Sequence, residues 1–288
     1  MVKTRTHAIT TIALTLSACT ITIDQNKLYK TDMAQPREGE LSAPKGYVLD
    51  DRIVELPGLG NLHVARLDNP KTEAVIIFNG GRGNFVALQT VRMRRLAKAT
   101  GMDIILYDYT GRGGTDIPLS TDNSLATGPA LIDYAKKAGW IKNAKLYAYG
   151  FSFGGSQASA MIRKGGFDGL IIEGSAPDVK GIGEDYLPGV VRPFVKLKVD
   201  EEMQRFQYYD YVRDAKIPVL LLSNTEDEVV RTEHMQAFYD DLKRDGAKVS
   251  FIKTPGGHGD SLEQPDAQTA IQTFVSQSKP AATTATSM

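Results

Sequence analysis

Short runs of apolar residues alternate with longer segments of helical periodicity through most of this chain. The apolar runs are Ala74–Phe78, Asp103–Tyr107, Lys145–Tyr149, Gly169–Ile172, Pro218–Leu222 and Lys248–Ile252. Several of them are apolar at consecutive rather than alternating positions, which is typical of strands that are buried on both faces. The pattern therefore predicts a mainly parallel sheet that is covered by helices on each side.

Segments with helical periodicity lie between these runs and after the last of them. They are Leu88–Ala99, Ser124–Ala138, Gln157–Lys164, Thr232–Arg244 and Asp266–Gln277. Before the first run, Tyr47–Leu56 and Asn61–Leu67 are joined through Pro57-Gly58-Leu59-Gly60, which predicts an antiparallel hairpin at the edge of the sheet. The alternation of strands and helices predicts the α/β fold class, with a doubly wound sheet and right-handed crossovers.

One interval, from residue 176 to about 215, departs from this alternation. It has no clear strand pattern and is rich in large apolar residues: Tyr186, Leu187, Phe194, Phe206, Tyr208, Tyr209 and Tyr211. Two interpretations remain open. The interval is a small inserted helical cap over the carboxyl edge of the sheet, or its aromatic residues simply pack a surface helix. The cap is our prediction.

The N-terminus has the features of a secretion signal. A basic start (residues 3–7) precedes the apolar run Ala8–Leu16, which is too short for the ~20 residues that span a bilayer. This pattern predicts a signal peptide over residues 1–18. It ends in Leu16-Ser17-Ala18-Cys19, which resembles the lipobox of bacterial lipoproteins, where the cysteine becomes the first mature residue and carries lipid. An ordinary cleaved signal that contains a cysteine is the alternative.

The lipoprotein resemblance implies a lipid-anchored protein of the bacterial cell envelope. Thr20 stands where inner-membrane lipoproteins usually have Asp, which implies the outer membrane, facing the periplasm. Because no later apolar run is long enough to cross a bilayer, membrane attachment is expected only through the lipid on Cys19. The polar residues 19–45 predict a tether, residues 46–278 the folded domain, and residues 279–288 a flexible tail.

Composition narrows the classes of function. The 288 residues are 42% hydrophobic, which is enough for a substantial core. The 34 basic and 34 acidic side chains balance, so we expect no nucleic-acid partner. Cys19 is the only cysteine, which excludes a disulfide within one molecule and argues against a cysteine-based metal site. The sequence does not indicate the oligomeric state.

The stretch Gly150-Phe151-Ser152-Phe153-Gly154 carries the strongest chemical signal. It follows a predicted strand and leads into a predicted helix. A serine on such a sharp turn projects its hydroxyl clear of the sheet, and side chains two positions away on either side would collide within the turn. The pattern therefore predicts that Ser152 is a nucleophile and that Gly150 and Gly154 make room for it.

The chain resembles the α/β-hydrolase family in five pieces, which occur in that family's order and spacing. They are Phe78-Asn79-Gly80-Gly81, the stretch from Tyr107 to Asp116, Gly150 to Gly154, Asp227 with Val229 and Val230, and Gly257-His258. The resemblance is to the serine-nucleophile branch that includes esterases, thioesterases and aminopeptidase-like enzymes. It implies the α/β-hydrolase fold and an acyl-enzyme mechanism without a metal or organic cofactor.

In this family the nucleophile, the acid and the histidine occur in that order along the chain. Only His234 and His258 follow Ser152. His258 lies in a glycine-flanked loop after the last predicted strand, from which an imidazole can reach the serine. His234 falls inside a helical pattern, where a solvated surface histidine is the ordinary explanation. We therefore predict His258 as the general base.

Carboxylates follow two predicted strands and are candidates for the acid. Glu226, Asp227 and Glu228 follow Pro218–Leu222, and Glu173 follows one strand earlier. Asp227 matches the family's Asp-x-Val-Val pattern, so the resemblance implies that Asp227 is the acid. Glu173 remains the alternative, because some hydrolases take the acid from the earlier strand.

The oxyanion hole needs two backbone amides directed at the developing negative charge. The family supplies one from the residue after the nucleophile, here Phe153, and the other from the loop after the first parallel strand. Matching that loop to Asn79-Gly80-Gly81 implies that Gly81 is the second donor. The family usually has His where this chain has Asn79, and a plain glycine turn is the competing interpretation.

The residues and the resemblance together predict a serine hydrolase. We expect it to cleave a carboxylic ester or thioester of a small-molecule acyl substrate through the triad Ser152, Asp227 and His258. A peptidase or amidase with the same triad is one alternative. A non-catalytic envelope protein that uses a hydrolase fold for binding is the other.

Overall fold

The computed structural model of the chain describes residues 19–25, 27, 39–142 and 144–277. The predicted signal peptide (residues 1–18) and the predicted tail (residues 279–288) lie outside these residues. The strands are β1 (Cys19–Ile23), β2 (Val48–Leu56), β3 (Gly60–Asp68), β4 (Val75–Asn79), β5 (Asp103–Tyr107), β6 (Leu146–Phe151), β7 (Gly169–Glu173), β8 (Val195–Val199), β9 (Val219–Asn224) and β10 (Val249–Thr254). The α-helices are α1 (Thr90–Thr100), α2 (Thr121–Lys137), α3 (Gly154–Ile162), α4 (Val179–Asp185), α5 (Glu201–Gln204), α6 (Tyr209–Ala215), α7 (Thr232–Arg244) and α8 (Pro265–Gln277).

The main sheet has eight strands in the order β10-β9-β7-β6-β4-β5-β3-β2. The hairpin strands β2 and β3 are antiparallel, and β3 is also antiparallel to β5. All the other neighbours in this sheet are parallel. The predicted fold class is therefore confirmed: a mostly parallel, doubly wound sheet with an antiparallel N-terminal hairpin at one edge.

The central strands are buried on both faces, as their consecutive apolar residues predict. Successive side chains of a strand point to opposite faces of the sheet. Ile77 of β4 and Ile105 of β5 accordingly belong to the core on one face. Their neighbours Ile76 and Ile104 belong to the core on the other. Helices cover both faces, and the parallel strands end together at the edge where the candidate site lies.

The interval 176–215 is an insertion that contains helices α4, α5 and α6 together with strand β8. The strand is a difference from the predicted helical cap. Leu197 and Val199 are buried, whereas Lys196 and Lys198 are exposed. This alternation is a strand pattern, but five residues between irregular segments are too few for periodicity to identify.

The predicted tether, residues 19–45, is part of the folded structure at its beginning and near its end. Strand β1 pairs in parallel with β8, with Cys19 opposite Val195 and Ile23 opposite Val199. Near the other end of the segment, Leu41 is buried in the core. The strand partner lies more than 170 residues later in the chain, so local composition could not indicate it.

No helix within the described ranges is long and apolar enough to cross a membrane.

A histidine outside the candidate site connects the hairpin to the loop after β5. His63 Nδ1 lies 2.6 Å from Asp108 Oδ2, and His63 Nε2 lies 2.7 Å from Asp51 Oδ1. The hydrogen bond to Asp108 is the main cause that raises the pKa of His63 to about 9, against the opposing effect of burial. Asp108 also accepts from the amides of Val86 and Gly114, so the imidazolium stabilises a loop that packs beside the sheet.

We expect the stability of the protein to fall between about pH 6.5 and 9. The folded state holds the His63 proton more tightly than the unfolded state, so its stabilisation is complete below the unfolded pKa and is lost as pH rises through the folded pKa. For this partly buried pair we expect the loss to be about 1–3 kcal/mol. Thermal unfolding across this range, with wild type and His63→Gln, measures it. Equal losses in both proteins would contradict the assignment to His63.

Candidate active site

Ser152 lies on the turn between strand β6 and helix α3. Its φ is +52°, a left-handed conformation that is rare for a residue with a side chain. A methyl group on Gly150 would lie 2.5 Å from the carbonyl oxygen of Gly154, and one on Gly154 would overlap the carbonyl oxygen of Asn79. The turn therefore has the strained geometry and the close packing that the glycine spacing predicts.

His258 and Asp227 form a hydrogen-bonded pair at the carboxyl edge of the sheet. His258 Nδ1 lies 2.8 Å from Asp227 Oδ2. The Asp227 side chain is fully buried, and its other oxygen accepts hydrogen bonds from the amides of Val229 (2.9 Å) and Val230 (2.8 Å). The two amides hold the carboxylate in place, so that Oδ2 faces the imidazole and leaves Nε2 as the ring nitrogen available to a reacting group.

Ser152 and His258 line the same cavity, which has a volume of about 340 Å³ and also includes Gly81 in its wall. The hydrogen bonds found among the described residues do not include one between the Ser152 hydroxyl and the imidazole. Such bonds are often long in substrate-free enzymes and shorten in the substrate complex. The structure thus brings the predicted nucleophile, base and oxyanion loop to one cavity, with the aspartate behind the base.

Gly174, which the sequence reasoning did not single out, makes room for the Asp227–His258 pair. It follows strand β7 with φ +53°. A methyl group there would lie 3.2 Å from Asp227 Oδ2 and 3.3 Å from His258 Nδ1. The sequence signal that could have indicated Gly174 is its place directly after a predicted strand of the sheet. Residues at the carboxyl ends of parallel strands form the floor of a site at that edge.

Glu173, the alternative acid, is fully buried but bonds to other groups. Its Oε2 accepts from Arg92 Nη1 at 2.8 Å and from the Tyr149 hydroxyl at 2.7 Å. Its Oε1 accepts from the amide of Ser261 at 3.2 Å. Glu173 is therefore held by Arg92, Tyr149 and the segment after His258, whereas Asp227 is the carboxylate that bonds the imidazole.

Arg92 extends the Glu173 contacts to the loop that carries the histidine. It donates to the carbonyl oxygen of Gly259 at 3.0 Å, and its guanidinium lies 3.9 Å from the centre of the Phe151 ring. Because the total charge is balanced, the sequence favours a solvated face for the basic cluster on the first predicted helix (Arg92, Arg94, Arg95 and Lys98). For Arg92 this interpretation is wrong, because its side chain points inward to a buried carboxylate. Helix periodicity does not reveal that contact.

His234, interpreted from the sequence as a solvated surface residue, is instead half-buried at the contact between helix α7 and the cap. Its Nε2 lies 2.8 Å from Asp185 Oδ2. It takes no part in the His258 pair, so its role is in packing the cap against α7.

The candidate oxyanion loop lies against the serine turn. A methyl group on Gly81 would lie 3.5 Å from Ser152 Cβ, so the loop backbone passes directly beside Ser152. Asn79, in the position where the family usually has His, is fully buried. Its amide donates to the Tyr149 carbonyl at 3.2 Å and its oxygen accepts from the Tyr107 hydroxyl at 2.8 Å. The asparagine thus joins three neighbouring strands beneath the loop.

A second cavity, of about 240 Å³, lies between the serine and the cap. Its wall is mostly apolar and aromatic, and Ser152 and Arg82 belong to both cavities. The residues that line the second cavity from the cap and from strand β1 include Ile23, Val179, Ile182, Tyr186, Phe206 and Tyr208. A substrate at Ser152 can therefore place an apolar group in one cavity and a more polar group in the other.

Within the described part of the chain, no group of three or more His, Cys, Asp or Glu side chains could hold a metal ion. Cys19, the predicted lipidation site, is exposed at the start of strand β1.

A mostly parallel sheet with a serine on a strained strand-to-helix turn, and with a histidine and an aspartate on later loops, defines the α/β-hydrolase class. The family model of the prolyl oligopeptidase family matches residues 122–277, which include the serine turn, Asp227 and His258. The chain belongs to this family.

A curated relative and solved structures agree with this class. The α/β-hydrolase domain-containing protein WAV2 of Arabidopsis thaliana is 23% identical over 198 residues, which cover 64% of this chain and 62% of the relative. The chain thus spans less than two thirds of that relative's length.

Among solved structures, the Pyrococcus furiosus esterase Pf2001 has a TM-score of 0.65 at 17% identity, covering 84% of this chain and 98% of the esterase. A carboxyl esterase of the fungus Tuber melanosporum has a TM-score of 0.59 at 16% identity, covering 85% and 91%. The acylaminoacyl peptidase of Pyrococcus horikoshii has a TM-score of 0.57 at 16% identity, covering 82% and 42%. At these identities the likeness shows the fold.

Proposed function

We propose that the protein is a serine hydrolase that cleaves a carboxylic ester or thioester, with Ser152 as nucleophile, His258 as base and Asp227 as acid. The observation that carries the proposal is the hydrogen bond between His258 and the buried Asp227 carboxylate, whose other oxygen accepts hydrogen bonds from two backbone amides. Ser152, on its strained turn, lines the same cavity as the imidazole.

In the proposed mechanism, the Ser152 hydroxyl attacks the substrate carbonyl and gives its proton to His258 Nε2. Asp227 accepts a hydrogen bond from Nδ1–H of His258 and stabilises the imidazolium. The amides of Gly81 and Phe153 bind the tetrahedral oxyanion. The intermediate collapses as His258 returns the proton to the leaving alcohol or thiol. A water molecule, deprotonated by His258, then attacks the acyl-enzyme, and the carboxylic acid is released while Ser152 regains its proton.

The apolar cavity beneath the cap supports an acyl ester as the substrate class. The fold neighbours include proteins described as esterases. The family name and the acylaminoacyl peptidase neighbour favour the second candidate, a peptidase or amidase with the same triad. We also keep the proposal that residues 1–18 are a signal and that lipid on Cys19 anchors the protein in the bacterial envelope, at the outer membrane facing the periplasm.

We expect a fluorophosphonate probe to label Ser152, and p-nitrophenyl esters or acyl thioesters to be hydrolysed faster than amino-acid p-nitroanilides. The probe captures an activated serine whatever the substrate, and the side-by-side panel separates ester from amide specificity. Ser250→Ala, which changes an exposed serine on strand β10, is the matched control and keeps both labelling and turnover.

Two outcomes would contradict the proposal. Faster hydrolysis of the anilides than of the esters would favour the peptidase. The absence of a Ser152 adduct, with a folded protein, would favour a non-catalytic envelope protein that binds ligands on a hydrolase fold.

A further inference from the structure

Four large apolar side chains are exposed on one short segment of the cap, between helix α4 and strand β8. They are Tyr186, Val190, Val191 and Phe194, which we call the cap patch. Val190 is 81% exposed and Phe194 is 45% exposed. Single exposed apolar residues need no explanation, but a cluster within nine residues marks a surface that contacts something apolar.

The cap patch lies where the N-terminal segment joins the cap. Phe194 directly precedes Val195, and Val195 is paired with Cys19 in the small parallel sheet. Cys19 therefore lies close to the patch. Both the lipid predicted on Cys19 and the basic and apolar residues 1–18 that precede it in the sequence are of kinds that partition into bilayers.

Positive charge accompanies the apolar residues. Lys196 and Lys198 are exposed on strand β8, while Leu197 and Val199 face inward. Exposed lysines beside apolar side chains suit the interface of a bilayer that contains anionic lipid, because the apolar groups enter the acyl boundary and the ammonium groups meet the phosphates. On a surface that faces only water, the exposed apolar side chains would give no stabilisation.

The patch is also continuous with the candidate active site. Tyr186 is exposed in the patch and lines the apolar cavity that contains Ser152. Ile23, at the end of the strand that begins with Cys19, lines the same cavity. A bilayer at the patch would therefore lie next to the wall of the cavity that we propose for the acyl group.

We propose that the cap patch docks on the surface of a lipid bilayer, as a second membrane contact in addition to the predicted lipid on Cys19. The occupant is the bilayer itself rather than a second copy of the chain or residues 1–18. This contact holds the cap side of the protein against the membrane, and the substrates that reach the apolar cavity from there are amphipathic acyl esters. The substrate class rests on the proposed hydrolase function, whereas the docking of the cap patch on the bilayer does not.

The single cysteine of the chain makes a direct test possible. In the full chain, Cys19→Ser removes the native thiol, and Val190→Cys then supplies one position for an environment-sensitive fluorophore. The matched control is Val48→Cys in the same background, because Val48 is 61% exposed but lies on the edge strand β2. Vesicles of phosphatidylethanolamine and phosphatidylglycerol should shift the emission to the blue, and spin-labelled lipid should quench it, only for the label at position 190.

A second variant tests the charge. We expect Lys196→Gln with Lys198→Gln to weaken vesicle binding by roughly five-fold per lysine at low salt. Lys136→Gln with Lys137→Gln, at the end of helix α2, is the matched pair and leaves binding unchanged. Both measurements use no turnover, so they give the same result in a Ser152→Ala background and remain informative if the proposed hydrolase function fails.

Four outcomes would overturn the docking proposal. A label at position 190 that vesicles do not shift, or that shifts no more than the label at position 48, shows that the patch does not meet the bilayer. A blue emission that depends on protein concentration without vesicles indicates a second copy as the occupant. A blue emission that is already present in dilute protein indicates that residues 1–18 cover the patch.

Discussion

Ser152→Ala is expected to lower kcat on an ester substrate by about 10⁶-fold, with the fold intact. The variant removes the only hydroxyl on the strained turn, and the remaining oxyanion amides and binding surfaces give only a small residual rate. Because alanine keeps the Cβ, the backbone at φ +52° stays as it is. Steady-state kinetics, together with circular dichroism and thermal unfolding, separates loss of chemistry from loss of structure.

Ser152→Gly is the companion variant. Glycine adopts positive φ without strain, so we expect it to be as inactive as Ser152→Ala but more stable by about 1 kcal/mol. Ester hydrolysis by Ser152→Ala at anything near the wild-type rate would exclude the serine mechanism. A Ser152→Gly protein that is less stable than Ser152→Ala would contradict the inference that the turn is strained.

Asp227→Asn is expected to lower kcat by about 10⁴-fold and to leave the protein folded. The amides of Val229 and Val230 bond Asp227 Oδ1, and an asparagine oxygen satisfies them equally well. The asparagine NH₂ then faces His258 Nδ1, where the carboxylate stood at 2.8 Å. A donor at that position favours the imidazole tautomer that carries its hydrogen on Nε2, and this tautomer cannot accept the serine proton.

The loop itself offers controls for this prediction. Glu226 and Glu228 are the exposed neighbours of Asp227, and Glu226→Gln and Glu228→Gln should keep kcat within about two-fold, since surface substitutions away from special contacts have small effects. The three variants change the same local charge, so a general electrostatic effect would lower all three rates alike. That result, or full activity in Asp227→Asn, would exclude Asp227 as the acid.

The serine turn could be predicted because its constraints are local. Gly150 is required by backbone atoms of Gly154 and Gly155 in the same turn, and the strand-to-helix context is visible in the apolar pattern. The core positions of β4 and β5 are equally local, since consecutive apolar residues imply burial on both faces. These features follow from short-range sterics and periodicity.

The choice of acid was only partly determined by the sequence. Glu173 and Asp227 both follow strands that end at the site, and the family pattern favoured Asp227. The structure adds a physical reason to prefer Asp227, because Arg92 and Tyr149 already donate hydrogen bonds to the Glu173 carboxylate. Tyr149 is 24 positions and Arg92 is 81 positions away from Glu173 in the sequence. No sequence pattern indicates contacts between residues so far apart.

The sequence by itself determined the α/β fold class, the hairpin and the strained turn, and it predicted a candidate triad through the family resemblance. Only the tertiary structure decided that Arg92 points inward, that Cys19–Ile23 pairs with Val195–Val199, and that the cap patch therefore lies beside the predicted lipid anchor. The fold class, the hairpin and the turn depend on residues that are neighbours in the chain. The features that only the tertiary structure decided depend on contacts across more than 80 residues, whose partners are selected by packing after the sheet has formed.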